Sequence, residues 1–302
     1  MNKTKIWISA ARLRTLPLSI SGVLVGTALA NNQDYKDWFI FLLCLLITIG
    51  FQVTSNFAND YGDGVKGTDG EDRIGPARAL QSGALTAGEL KKGIRVTAVI
   101  SIAFAVLLLA YVFGTEQLPL FLLFLVLGGF SIWAAIRYTV GNNAYGYKGL
   151  GDVFVFLFFG LLAVLGTKFL YNQQLTFWDI IPALGIGFLC VGVLNLNNLR
   201  DIASDKKHGK NTLIVRIGFR WGKWYHSILI VASFLCFVVY SYFQIEGVWG
   251  TIHVVFYLPI GLHLYNVVTT RNPSELDPEL KKLALSTFFL SLCFYISLNY
   301  FL

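Results

Sequence analysis

The sequence predicts an all-α membrane protein, built as a bundle of about nine transmembrane helices. Of its 302 residues, 55% are hydrophobic and only 14% are charged, against about 25% charged residues in soluble domains. The apolar residues also lie in runs long enough to cross a bilayer. A soluble protein of this length has too little interior for so much apolar side chain, whereas lipid tails solvate it. The composition therefore excludes an ordinary soluble fold.

Polar breaks separate the apolar runs and define the spans of one domain over 1–302. The first span is short and contains Pro17. The predicted spans lie near 15–31, 38–58, 94–113, 118–136, 152–171, 179–199, 224–243, 248–268 and 282–301.

The positive charges predict the orientation of these spans. With spans at these positions, every Lys and Arg except Lys36 and Lys168 lies on the side of the N-terminus and the long loops 59–93 and 200–223. The positive-inside rule makes that side cytoplasmic. The net charge of +7 therefore reports topology. Because the positive residues are spread over several loops, a nucleic-acid partner is not expected, and no obligate protein partner is evident.

An acidic cluster follows the second span, in SNFANDYGDGVKGTDGEDRIGPARALQSG from Ser55 to Gly83. Three- and four-residue spacing places its first polar residues on one helix face; these are Asn56, Asn59, Asp60 and Asp63. Glycines at 62, 64, 67 and 70 are then expected to break the helix. The loop that follows contains Asp69, Glu71 and Asp72.

A second cluster follows the sixth span, in LNLNNLRDIASDKKHGKNTLIVRIG from Leu194 to Gly218. Asn197, Asp201 and Asp205 lie at i, i+4 and i+8, again on one face. Both clusters present Asn-x-x-x-Asp after an apolar helix and continue into a basic loop. This likeness predicts two pseudo-repeated halves, roughly 10–140 and 141–302, that face each other.

The acidic residues predict a magnesium site. Carboxylates at a membrane interface repel one another and are costly to desolvate, although a solvated helix end tolerates a single group of them. Mg²⁺ prefers such oxygen ligands and bridges carboxylates to substrate phosphates. Neighbouring basic residues can bind the remaining oxygens of a diphosphate; these are Lys66, Arg73, Arg78, Arg200 and Lys210.

Three further residues are candidates for binding an acceptor. Lys148 and Asp152 lie in GYKGLGD, where the Lys can bind a carboxylate and the Asp can accept a phenolic proton or orient the Lys. An ordinary loop Lys and a helix N-cap Asp explain the pair equally well. Arg14 can reach acceptor or phosphate, but it also suits a role as a charge flanking the first span.

These motifs resemble the UbiA superfamily of intramembrane prenyltransferases over nearly the whole chain. The general patterns are NDxxDxxxD and DxxxD, and the second is present as Asp201 to Asp205. In the first, Gly67 replaces the last Asp, and either Asp69 or Asp72 completes the motif. Four segments are similar to the branch that acts on 1,4-dihydroxy-2-naphthoate: ARLRTLPLS at 11–19, the stretch from Ala58 to Arg78, YKGLGDVFVFLFFG at 147–160 and NNLRDIASDKKHGKNTLIVRIG at 197–218.

The resemblance implies a reaction and a site. A polyprenyl diphosphate alkylates 1,4-dihydroxy-2-naphthoate at the carbon bearing its carboxylate, CO₂ and diphosphate leave, and demethylmenaquinol forms. The implied fold has a central cavity open to the cytoplasm, in a bacterial inner membrane. Mg²⁺ and the diphosphate would be bound by Asn59, Asp60, Asp63, Asp69, Asp201 and Asp205, with phosphate contacts from Arg73, Arg200 and Lys210.

Other functions remain open from the residues. The acceptor can be another aromatic compound, such as 4-hydroxybenzoate, homogentisate, heme or a chlorophyllide. A secondary transporter also has repeated halves and polar residues at their junction, but its ionisable residues are expected near mid-bilayer. A non-catalytic prenyl-lipid binding protein would not need both clusters.

Overall fold

The computed structural model describes residues 2–68 and 78–300. Within these ranges nine helical segments are long and apolar enough to cross a membrane, which confirms the predicted multi-pass bundle. They are Lys3–Asn31, Trp38–Val65, Ala87–Phe113, Leu118–Arg137, Gly151–Asn172, Phe177–Arg200, Leu213–Gln244, Trp249–Thr269 and Pro273–Tyr300.

The described residues contain twelve α-helices and several tighter or wider segments. The α-helices are α1 Lys3–Ala11, α2 Leu16–Asn31, α3 Trp38–Val65, α4 Ala87–Phe113, α5 Leu118–Arg137, α6 Gly151–Val155, α7 Thr167–Asn172, α8 Phe177–Arg200, α9 Ile202–Lys207, α10 Leu213–Gln244, α11 Tyr257–Thr269 and α12 Asp277–Tyr300. The segments Leu13–Thr15, Tyr145–Lys148, Trp249–Phe256 and Pro273–Leu276 are 3₁₀-helical, and Phe156–Gly166 is π-helical.

Several helices extend beyond their predicted apolar spans because hydropathy detects only the lipid-facing part of a helix. α4 begins at Ala87 rather than near 94, since Thr86 and Glu89 form a capping box that starts it in polar sequence. α3 continues to Val65. The expectation that Gly62 and Gly64 break this helix is therefore wrong, and both glycines lie within it.

The chain divides into two compact units. The first comprises Met1–Leu16, Leu42–Gly151 and Ala203–Thr212. In its core Phe57 and Ala58 of α3 are buried with Leu90 and Ile94 of α4. The Thr54 hydroxyl of α3 also donates a hydrogen bond to the Thr97 hydroxyl of α4, at 2.8 Å. The predicted halves 10–140 and 141–302 stay a prediction, as does the central cavity.

The second unit comprises Pro17–Phe41, Asp152–Ile202 and Leu213–Leu302. Its helix α8 packs against α10, α12 and the π-helical segment. Glycines permit the closest of these approaches, because a Cβ atom on Gly160 would lie 2.5 Å from the Gly187 Cα atom. A Cβ atom on Gly26 would likewise lie 2.4 Å from the carbonyl oxygen of Val164. The widened helix is thus enclosed by small residues that let backbones meet.

Buried polar side chains also connect helices of the second unit. His226 of α10 and His263 of α11 share a hydrogen bond of 3.0 Å between their Nε2 atoms. His263 Nδ1 lies 2.8 Å from Glu279 Oε2 at the start of α12. Because polar groups buried away from water must be paired, this series of hydrogen bonds fixes the relative rotation of α10, α11 and α12.

We expect Gly160→Ala to destabilise the protein, because the new methyl group would overlap the backbone of Gly187. Overpacking of this kind costs about 1–3 kcal/mol, so the thermal unfolding midpoint in detergent should fall. Gly129→Ala is the matched control, since a Cβ atom on Gly129 in α5 meets nothing within 4 Å. Equal midpoints for the two variants would contradict this account of helix packing.

Candidate functional site

The last turns of α3 bury the polar face that the sequence predicted. The Asn56 amide donates to the carbonyl oxygen of Ala11 at 2.9 Å. The carboxylate of Asp60 accepts the backbone N–H groups of Ala79 at 3.1 Å and Leu80 at 3.2 Å. Asp60 therefore attaches the segment that begins at residue 78 to the end of α3.

Asp63, one turn further along α3, lies in a dense group of charged and polar atoms. Its Oδ2 atom is 2.7 Å from Arg78 Nη1, and its Oδ1 atom accepts the Tyr147 hydroxyl at 2.8 Å. Arg78 also donates to the carbonyl oxygen of Asn59 at 2.6 Å. A charged carboxylate can stay buried here because two donors replace its water.

Two lysines lie close to the same tyrosine. Lys66 Nζ is 3.9 Å from the centroid of the Tyr147 ring, and Lys210 Nζ is 5.7 Å from it. Lys210 Nζ also lies 3.7 Å from Asp205 Oδ1. The end of the second acidic cluster thus joins the first cluster within one compact unit.

The environment shifts the pKa of both lysines. Burial lowers the pKa of the Lys210 ammonium, but the negative charges of Asp63 and Asp205 outweigh it, and the net pKa is raised. Desolvation lowers the pKa of Lys66, against the opposing attraction of Asp63. Lys210 is therefore a permanent cation in this cluster.

The remainder of the second cluster belongs to the other unit, where Arg200 is its centre. The guanidinium donates to both carboxylate oxygens of Asp201 at 2.7 Å. It also donates to Asp277 Oδ1 at 2.6 Å and to Asn197 Oδ1 at 2.8 Å. All three nitrogens of Arg200, a predicted phosphate ligand, therefore contact protein oxygens.

The candidate acceptor residues have separate surroundings. Lys148 is exposed and donates to Asn143 Oδ1 at 3.1 Å. Asp152 is buried in the first turn of α6, near the side chain of Tyr225. Arg14 is exposed in the 3₁₀ turn Leu13–Thr15.

Asp69, Asp72 and Arg73 lie outside the described residues, so the ligand that completes the first motif stays a prediction. Two residues that contact this site were not predicted from the sequence: Tyr147 and Thr68. Tyr147 lies in the 147–160 segment that resembles the family, next to the candidate acceptor residue Lys148. Its contact with Asp63 joins residues far apart in the sequence, and no local pattern predicts it.

The donor chemistry of the first unit fits magnesium. The buried carboxylates of Asp60, Asp63 and Asp205 are hard oxygen ligands of the kind that Mg²⁺ prefers. Among the described residues, however, no three His, Cys, Asp or Glu side chains form a group that could hold an ion. Arg78 and Lys210 supply the positive charge beside these carboxylates.

The fold and this site define a multi-pass membrane protein with carboxylates and cations gathered at its helix ends. A sequence profile of the UbiA prenyltransferase family matches residues 19–293. The chain belongs to this family and is a prenyltransferase. Of the functions left open by the sequence, family membership supports the enzyme rather than the transporter or the non-catalytic binding protein.

Relatives and a solved structure agree with this assignment. A Haemophilus influenzae relative is 42% identical over 98% of this chain and 96% of its own length. An Escherichia coli relative is 44% identical over 83% of this chain and 80% of its own. Both are called 1,4-dihydroxy-2-naphthoate octaprenyltransferase. A UbiA homolog from Archaeoglobus fulgidus, solved with bound DMAPP and Mg²⁺, has the same fold, with a TM-score of 0.64 at 15% identity over 95% of this chain and 98% of that chain.

We expect Arg200→Lys to destabilise the protein although it keeps the positive charge. An ammonium cannot donate in parallel to Asp201 while also reaching Asp277 and Asn197. Hydrogen bonds to charged groups contribute about 1.5–3 kcal/mol, and thermal unfolding in detergent should show a loss of that size. Arg220→Lys, at an exposed position of α10, is the control and should unfold like the unmodified protein. A midpoint unchanged by Arg200→Lys would refute the role of these hydrogen bonds.

Proposed function

We propose that this protein transfers a polyprenyl group from polyprenyl diphosphate to 1,4-dihydroxy-2-naphthoate, with loss of CO₂ and diphosphate, to give demethylmenaquinol. The observation that carries the proposal is the 42% identity with the Haemophilus influenzae enzyme over 98% of the chain. The grouping of Asp63, Arg78 and Lys210 supports it, because such a group suits a metal-bound diphosphate.

The proposed Mg²⁺ ligands are the carboxylates of Asp60, Asp63, Asp69, Asp201 and Asp205. Bound Mg²⁺ would withdraw charge from the diphosphate and make it a better leaving group. Contacts to substrate oxygens are assigned to Asn59, Arg73, Arg78, Asn197, Arg200 and Lys210. Lys210 fits this role because it is buried and remains charged.

The chemistry of the acceptor decides what the protein must supply. The bond between the allylic carbon and the diphosphate oxygen breaks, and the electron pair leaves with the diphosphate. The ring carbon that bears the carboxylate forms the new bond to the allylic carbon. The bond between that ring carbon and the carboxylate carbon then breaks, which returns its electron pair to the ring and releases CO₂. Loss of CO₂ replaces loss of a ring proton, so no base is needed at that carbon.

The remaining polar candidates are assigned to the acceptor. Lys148 and Arg14 would bind its carboxylate or a phosphate oxygen, and Asp152 would accept a phenolic proton and so increase the electron density of the ring. The buried position of Asp152 in the first turn of α6 supports this assignment.

The proposed location is a bacterial inner membrane, with the N-terminus and the acidic clusters in contact with the cytoplasm. Positive residues lie almost entirely on that side of the spans, with Lys36 and Lys168 as the exceptions. A soluble naphthoate and a diphosphate with a lipid tail could then meet at the cytoplasmic helix ends.

We expect membranes containing the protein to form a prenylated naphthoquinol from a polyprenyl diphosphate, 1,4-dihydroxy-2-naphthoate and Mg²⁺. Release of CO₂ from carboxyl-labelled acceptor should accompany it, and EDTA should abolish both. Because metal assistance contributes several kcal/mol, Asp63→Asn and Asp201→Asn should each lower the rate by about 100-fold or more.

Asp34→Asn is the matched carboxylate control, since Asp34 is exposed and its φ of 63° suits Asn. It should retain the unmodified rate. Turnover with 4-hydroxybenzoate but not with the naphthoate would keep the enzyme class and refute the acceptor.

A further inference from the structure

Tyr147 contacts three separate parts of the first unit. Its hydroxyl is 2.8 Å from Asp63 Oδ1 on α3 and 2.6 Å from Thr68 Oγ1 beyond the end of that helix. Its carbonyl oxygen accepts the N–H of Asn211, after α9, at 3.1 Å. A residue of the 3₁₀ turn Tyr145–Lys148 thus meets parts of both acidic clusters.

The direction of the hydrogen bonds follows from the charges. An ionised carboxylate only accepts, so the Tyr147 hydroxyl donates to Asp63. The Tyr147 oxygen is then free to accept the hydroxyl hydrogen of Thr68. Since Arg78 binds the other oxygen of Asp63 at 2.7 Å, the carboxylate is held on both sides.

The ring of Tyr147 has a separate role. Lys66 Nζ lies 3.9 Å from the ring centroid, within the range of a cation–π interaction. Lys66 is otherwise exposed and its long side chain would sample many rotamers. The ring therefore selects the conformations in which the ammonium stays close to Asp63.

We propose that Tyr147 is a positioning residue of the diphosphate site, with its hydroxyl orienting Asp63 for the metal and its ring orienting Lys66 for the diphosphate. This inference rests on the proposed function. It assigns two contributions to one side chain, and substitution can separate them. Phe keeps the ring and removes the hydroxyl, whereas Leu removes both.

Metal affinity tests the hydroxyl without any acceptor. Full-length protein in detergent is titrated with Mn²⁺ in the presence of inorganic diphosphate, and bound Mn²⁺ is followed by electron paramagnetic resonance. Tyr147→Phe should weaken Mn²⁺ binding by about tenfold or more, the effect of losing a hydrogen bond to a charged group. Thr68→Val, which keeps the Tyr147 donor, should weaken it less.

Steady-state kinetics test the ring. At saturating Mg²⁺, Tyr147→Phe should have a KM for the prenyl diphosphate close to that of the unmodified enzyme. Tyr147→Leu should raise this KM by about fivefold, as expected for the loss of a cation–π contact. We therefore expect weaker Mn²⁺ binding in Tyr147→Phe and, in addition, a higher KM for the prenyl diphosphate in Tyr147→Leu. A general loss of folding would not produce this pattern.

Tyr145→Phe is the matched control, because it lies in the same turn and its hydroxyl donates to the carbonyl oxygen of Ala134 at 2.9 Å. It should bind Mn²⁺ as the unmodified protein does. Unchanged Mn²⁺ binding in Tyr147→Phe, or an equal loss in Tyr145→Phe, would overturn the proposal. If Tyr147→Phe weakens Mn²⁺ binding and the unmodified protein forms no naphthoquinol, the positioning role stands and the proposed acceptor fails.

Discussion

The compensation of buried charge at the end of α3 is the constraint on which the first unit depends. Asp63 is almost fully removed from solvent, and an ionised carboxylate in that position is tolerated only when partners replace its water. Arg78, Tyr147 and Lys210 supply them from three different stretches of chain. Each connecting segment is thereby fixed to one helix end, and neutralising the charge also organises the polar loops.

The second unit meets the same constraint with the signs reversed. Arg200 is the buried cation, and Asp201, Asp277 and Asn197 surround it with oxygen atoms. An arginine suits this position because its planar group donates in several directions at once. If Arg200 binds a substrate phosphate as proposed, the phosphate must share or replace one of these carboxylates. Asp277 is the more solvated of the two and therefore the less costly to release.

Sequence alone predicted the spans and grouped Arg78, Arg200 and Lys210 with the acidic clusters, but it did not predict the contacts of Tyr147, Thr68 and Asp277. Apolar runs identify the membrane segments because lipid leaves little alternative, and helical spacing placed Asp60 and Asp63 on the buried face of α3. Helix ends were less predictable, since α4 begins at a capping box in polar sequence. The contact of Tyr147 with Asp63 spans 84 positions, and no local pattern encodes it. The same applies to the hydrogen bond that Arg200 donates to Asp277.

The balance of charges in the first unit constrains how ligands can enter. Within the described part of the chain, the buried carboxylates Asp60, Asp63 and Asp205 lie in the same unit as the cations Arg78, Lys66 and Lys210. A divalent cation alone would face these positive groups, and a diphosphate alone would face the carboxylates, so each by itself is opposed by like charge. Together they bring compensating charges, and the cations released from the carboxylates can turn to the phosphate oxygens. If this group binds Mg²⁺ and diphosphate as proposed, its paired charges favour binding of the metal and the diphosphate together.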